Sequence, residues 1–387
     1  MLDNKDTALD HENATDALEI KNATKDNNIA PVNRVFLATV LISLGASTVI
    51  SIIFAVIANI IAKDEAHYDS LADKFLKVFN NDLFSIVLSQ VLLFIPVLIF
   101  IFMHKKRFVN NIRLKMLKPS TTILLVIFTV TITPVMSFIN SISLIFSDNV
   151  IGGTVTGIAE QSPMVVGVLA VALLPAVCEE VAYRGLFYSE YSRISPKKAI
   201  LLSGLMFGML HMNINQFMYA AAMGMVFALV VEATDSIFST MLIHFVSNAI
   251  SVLAMYVLSG MESSGEVDAE ETISDMYREM AAQEGLSPAV KNIYERLADM
   301  PQEYAQVISL AGTALVFGVV SFVIFIQIAK TSGRYKEIRK IFASKKESAK
   351  ESTKESTKES TKIFTPSLIV AFIICAVFMV YRQIKGI

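Results

Sequence analysis

The sequence predicts an all-α, polytopic membrane protein of about nine transmembrane helices, eight being the lower count, with a polar site inside the helix bundle. Three observations predict it. Of the 387 residues, 54% are hydrophobic, and the mean hydropathy of +0.56 exceeds what a soluble chain of this length needs for a core. The apolar residues are gathered into long segments, most of them reaching the roughly 20 residues that a crossing requires. The basic residues are gathered into three of the intervening loops. A net charge of −2 gives no bulk attraction to nucleic acid, and none is expected as a partner; the lipid bilayer is.

Residues 1–32 carry Asp, Glu, Asn and Lys with little apolar periodicity, so they read as a disordered cytoplasmic tail. No cleavable signal peptide precedes the first apolar run, which is too long for one. Apolar segments follow at about 34–62, 83–103, 120–146, 164–192, 198–212, 217–232, 236–259, 307–329 and 363–385. These divide the chain into N-terminal transmembrane helices (33–146), a central block (164–259), an acidic insert (260–306), a further span (307–329), a basic linker (330–362) and a C-terminal span (363–385). The pair 198–212 and 217–232 is short. At 1.5 Å per residue each covers only about 22–24 Å, so this hairpin is expected to turn inside the far face.

Lys and Arg set the orientation. The loop 104–118 carries Lys105, Lys106, Arg107, Arg113, Lys115 and Lys118 and no acid. The turn around Arg193, Lys197 and Lys198 and the stretch 330–362 are basic too, whereas 147–163 has no basic residue and 260–306 is strongly acidic. A cell-membrane protein with a cytoplasmic N-terminus satisfies all five assignments. Arg382 and Lys385 then fall outside, which makes the last span the weak point of the scheme. In the acidic insert, Ser287-Pro288 reads as an N-cap with Pro at N1 and Gly285 as the close of a preceding helix, so two short helices are expected there. A Lys-Glu-Ser-Thr repeat from Lys350 to Lys362 reads as a charged tether for the last span.

Costly residues sit inside the apolar segments. Glu179, Glu180 and Arg184 fall within 164–192, where each charge near a bilayer centre costs roughly 2.5–3.5 kcal/mol. Glu180 and Arg184 are four apart and share a helix stripe, so they can neutralise each other. Glu179 points about 100° away and is left for partners on other helices. His11, His67 and His104 lie in polar surroundings, but His211 and His244 lie in apolar runs, and Asn248 shares a face with His244. Glu179 and His211 lie roughly 20 Å from the basic-side helix ends, His244 and Asn248 roughly 12 and 18 Å. Cys178 and Cys375 have no partner at metal-ligand spacing and read as core or lipid-facing residues. A Glu with His residues and no activated Ser or Cys fits water activation. Burial-tuned carboxylate base and metal-bound hydroxide with Glu179, His211 and His244 as zinc ligands both remain open.

Glu179-Glu180-x-x-x-Arg184, Phe207-x-x-x-His211 and His244-x-x-x-Asn248 together resemble the three-motif signature of the CPBP intramembrane proteases, the CAAX prenyl proteases and bacteriocin-processing enzymes also called the Abi family. The resemblance covers about 164–255 of the 387 residues. It implies a membrane-embedded endopeptidase of glutamic type, formerly classed as a metalloprotease, acting on a membrane-associated peptide or protein. It implies that Glu179 activates water with help from His211, that His244 and Asn248 form the oxyanion site, that Glu180 and Arg184 support it, and that no cofactor is required. Two other readings compete. One is a non-catalytic bacteriocin-immunity or regulatory scaffold that binds a peptide or membrane partner. The other is a proton-coupled transporter, which would show the internal repeats that the sequence lacks.

Overall fold

The computed structural model describes residues 28–62, 65–147, 157–159, 161–264, 273–343 and 363–385. The expected tail and repeat therefore lie outside the described residues, except for positions 28–32. Fourteen helices carry the argument: α1 (Ala30–Ile61), α2 (Glu65–Phe79), α3 (Asp82–Met103), α4 (Lys105–Asn111), α5 (Pro119–Leu144), α6 (Met164–Ser192), α7 (Pro196–Met209), α8 (Ile214–Thr234), α9 (Ile237–Ser264), α10 (Ile273–Ala282), α11 (Pro288–Ala298), α12 (Gln302–Thr331), α13 (Tyr335–Phe342) and α14 (Pro366–Lys385). No sheet forms among the described residues. One isolated antiparallel bridge joins Leu114 to Ser236.

Seven helices are long and apolar enough to cross a membrane, and α1, bent by 43° between Ala30–Ala46 and Thr48–Ile61, makes up to eight. Among the described residues the upper figure meets the lower count expected, eight, and α7 is the apolar segment that falls short. Its 14 residues span only about 21 Å. It turns back into α8 without crossing, at the hairpin that the short segments foretold. The close approach of the two helices needs glycine. A Cβ at Gly204 would meet the Ala221 carbonyl at 2.7 Å, and one at Gly224 would meet Gly204 Cα at 2.8 Å.

Helix α8 joins the two halves of the bundle. One apolar core takes Phe36 of α1, Val97 of α3, Leu186 of α6, Met206 of α7 and Cys375 of α14. The other takes Leu125 and Phe128 of α5, Ile243 of α9 and Ile328 of α12, and α8 contributes to both. Helix α6 runs against α3 on one side and α9 on the other. The C-terminal span, doubtful from charge counting, is built into the first core. Leu368, Ala371 and Cys375 are fully buried. Asn33 of α1, itself buried, donates to the Ile363 carbonyl at 2.9 Å and to Thr365 Oγ1 at 2.8 Å, and accepts from the Tyr191 hydroxyl.

The three basic stretches converge on one end of the bundle through ion pairs. Arg107 makes a two-pronged pair with Glu190, at 2.9 and 2.6 Å. Glu232, near the end of α8, accepts from Arg113 at 2.7 Å, from the Tyr188 hydroxyl at 2.6 Å and from Arg334 at 3.2 Å. Burial works to lower the Arg113 pKa, but the bond and charge of Glu232 more than offset it and hold the guanidinium above its ordinary range. The acidic insert forms the two expected helices. Ser287 caps α11 with Pro288 in its first turn, Gly285 has φ +89°, and Tyr277, Ala298 and Ala305 pack together between α10, α11 and α12.

Candidate active site in the helix bundle

Helix α6 is not uniformly α-helical. Two π-helical segments, Val168–Leu173 and Val181–Tyr188, flank the α-helical turn Leu174–Glu180 that ends on the paired acids. The first follows from Pro175. Proline has no N–H to give residue i−4 and its ring crowds that carbonyl, which here belongs to Val171. The freed Val171 carbonyl is capped from another helix, by Asn248 Nδ2 of α9 at 3.1 Å. In the second segment, Ser189 Oγ donates to the Arg184 carbonyl at 2.7 Å. Such widened turns recur at functional sites because they re-aim side chains without breaking the helix.

The split between the two acids, expected from the 100° step, is present in the structure. Glu180 and Arg184 are fully buried, and Arg184 Nη1 donates to Glu180 Oε1 at 2.9 Å. Arg184 Nη2 donates to the Gly224 carbonyl at 2.9 Å, where glycine leaves room for it. The guanidinium lies against the neighbouring rings of Phe207 and Phe227, 4.8 and 4.9 Å from their centroids. This combination of ion pair, carbonyl and two π faces accommodates a cation that lipid would reject.

Glu179 is 12% exposed at its side chain and looks elsewhere. Its Oε1 accepts from Gln90 Nε2 of α3 at 2.8 Å. Its Oε2 stands 3.9 Å from His244 Nε2, beyond a direct hydrogen bond. The other nitrogen of the ring, Nδ1, is 2.9 Å from Glu180 Oε1. An ionised carboxylate only accepts, so Nδ1 carries the proton in that contact. His244 therefore spans the two acids, bonded to one and facing the other.

His211 does not lie inside a helix. Helix α7 ends at Met209, and the imidazole sits in the turn, followed by Met212 at φ +53°. Its Nδ1 donates to the Phe207 carbonyl at 2.8 Å, which leaves Nε2 as an acceptor. The Phe207 ring lies edge-on to both His211 and His244, with centroids 5.2 and 5.9 Å away. Glu179, Glu180, Arg184 and His244 thus form one contiguous set, His211 joins it through Phe207, and Asn248 is engaged with Val171 on the face that carries His244. Among the described residues no group of three or more His, Cys, Asp or Glu side chains is placed to hold one metal ion. The zinc set Glu179, His211 and His244 is not assembled among the described residues. Two open concavities of about 350 and 510 Å³ lie at the basic end, around Arg113 and Lys105, and not at Glu179.

Sequence reasoning missed Gln90. The signal was available. It is the one side-chain amide in the span Asp82–Met103, and it lies about 13 residues before that helix ends, the same depth of roughly 20 Å that Glu179 has in α6.

Residues 161–250 match the family described as Rce1-like, type II CAAX prenyl endopeptidase Rce1-like. The matched stretch, under a quarter of the 387 residues, contains all seven motif residues, from Glu179 to Asn248, and over it the chain is similar to that family. Neither the search of curated proteins nor that of solved structures returned a match.

Proposed function

We infer that the chain is an intramembrane endopeptidase whose working acid is Glu179. The observation that carries this is the face-off between Glu179 Oε2 and His244 Nε2 at 3.9 Å. That separation is too long for a direct bond and fits one oxygen atom hydrogen-bonded to both. In hydrolysis that oxygen belongs first to water and then to the tetrahedral adduct. Glu179 takes the proton as the water oxygen bonds to the scissile carbonyl carbon, and the carbonyl becomes the oxyanion. The proton then passes to the departing amine as the C–N bond breaks, so atoms and charge balance. His211, whose Nδ1 is committed to the Phe207 carbonyl, has Nε2 left to share that proton.

His244 stabilises the oxyanion through Nε2–H. Because Nδ1–H is committed to Glu180, the ring is an imidazolium in that step, and the oxyanion is its matching charge, Glu180 being already paired with Arg184. With Glu179 now protonated, Glu180 and the oxyanion balance Arg184 and His244 inside the bundle, which is the arrangement that low dielectric tolerates. Asn248 spends one N–H on Val171 and keeps the other for the same oxyanion.

The matched family indicates the substrate class, a prenylated cysteine followed by two aliphatic residues and a C-terminal residue. The basic end carrying Arg107, Arg113 and Arg334 is assigned to the cytoplasm of a multi-pass cell-membrane protein, following the positive-inside rule. The test uses purified full-length protein in detergent and an internally quenched farnesylated peptide of the Cys-aliphatic-aliphatic-X type. Wild type should release the C-terminal tripeptide. Glu179→Gln should lower kcat at least ~100-fold while eluting and unfolding like wild type. No cleavage by wild type, or undiminished cleavage by Glu179→Gln, overturns the reading.

A further inference from the structure

We propose that Gln90 is a positioning residue of the hydrolytic site, supplied by α3 from outside the family-matched stretch. This rests on Glu179 being the working acid. A carboxylate presents two equivalent oxygens and turns freely about its last bond, so a base on a helix needs a second element to fix which oxygen faces the substrate. Gln90 Nε2 holds Oε1 at 2.8 Å, and only then does Oε2 face His244 Nε2. The amide is itself buried, 7% exposed, in a span that otherwise has no side-chain amide. A polar side chain in that setting is costly unless it is used. Its carbonyl supports the same conclusion. Gln90 Oε1 is buried and has no hydrogen-bond partner among the described residues. A glutamine placed only to stabilise the fold would satisfy both ends. One bonded to Glu179 at one end and open at the other is arranged around the acid.

The orientation of the amide follows from charge. Turned over, its carbonyl would face an ionised carboxylate and repel it, so an ionised Glu179 selects the Nε2-inward rotamer. Gln90 has no proton to give or take in the reaction. It acts through Glu179.

The experiment compares Gln90→Met, which keeps length and removes the donor, with Gln90→Asn, which keeps the amide and withdraws it by one methylene. Both are assayed as purified full-length protein on the farnesylated peptide, beside Glu179→Gln. Loss of a held base typically costs one to two orders of magnitude in rate. We expect kcat to fall ~10–100-fold in both variants, with KM changed by less than about threefold. Gln90→Met replaces a polar group by an apolar one inside a span, so its elution profile and unfolding midpoint should match wild type. If Gln90→Met does not accumulate, Gln90→Asn carries the same readout. Unchanged kcat in the variants beside an inactive Glu179→Gln overturns the Gln90 inference alone. Equal losses in kcat and in unfolding midpoint assign Gln90 to the fold and overturn it too. Activity in Glu179→Gln, or none in wild type, removes the reading beneath it and the inference with it.

Discussion

Replacing Arg184 tests whether the buried pair is what allows a second acid to sit beside Glu179. Arg184→Met removes the guanidinium from Glu180 at 2.9 Å, with both side chains fully buried. At an effective dielectric of about 20 the gross attraction at that distance is ~6 kcal/mol. Desolvation offsets part of it, and breaking one side of such a pair costs about 3–5 kcal/mol. Arg184→Met also loses the bond to the Gly224 carbonyl, but the thioether refills some of the space beside Phe207 and Phe227. The expected cost is therefore about 3 kcal/mol. Glu180→Met leaves the cation against two rings without an anion and should cost about 4 kcal/mol. The double variant strands neither charge, so it should cost less than the sum of the singles by at least ~2 kcal/mol. The assay is reversible unfolding in mixed micelles with a denaturing detergent, followed by far-ultraviolet circular dichroism because the chain has no Trp. Additivity to within about 0.5 kcal/mol, or a cost below ~1 kcal/mol for either single, would refute the argument that the two residues neutralise each other.

Three further outcomes follow from the geometry. His244→Ala should lower kcat by ~10²–10³ with a smaller change in KM; equal losses in the two would assign the ring to substrate binding. Asn33→Ala removes both donors that fasten Ile363 and Thr365, and should cost about 1–2 kcal/mol in the same unfolding assay, whereas an unchanged midpoint would mean that apolar packing alone holds α14. Gly224→Ala puts a Cβ 2.8 Å from Gly204 Cα and 3.3 Å from Arg184 Nη2. The helices must part, at about 1–3 kcal/mol, and turnover should fall with stability; a fully active, equally stable variant would show that the contact has slack.

Much of the site was legible because lipid makes polar residues expensive. Glu179, Glu180, Arg184, His211 and His244 stood out as charges and imidazoles in apolar runs, and the four-residue spacing of Glu180 and Arg184 foretold their pairing. Gln90 carried the same kind of signal at the same depth, but it is uncharged and lies in a segment with no motif beside it. The role of Pro175 was hidden for another reason. Its effect is to free a carbonyl, and only the packing of α9 against α6 reveals that Asn248 answers it. The number of crossings was legible only as a range, because an apolar segment of the right composition need not be long enough to cross, and α7 stops at Met209.

The sequence by itself determined the class of the protein, the end at which its basic residues gather, and which acid is neutralised by its own helix. Those follow from composition and from a helical period that acts locally. The tertiary structure decided what local periodicity cannot reach. It set His244 across both acids, held Glu179 by an amide from α3, laid Arg184 against rings of α7 and α8, and drew the C-terminal span into the core. Each of these depends on which helices become neighbours, and that is fixed by close approach at Gly204 and Gly224 and by buried polar groups seeking partners where no water is at hand.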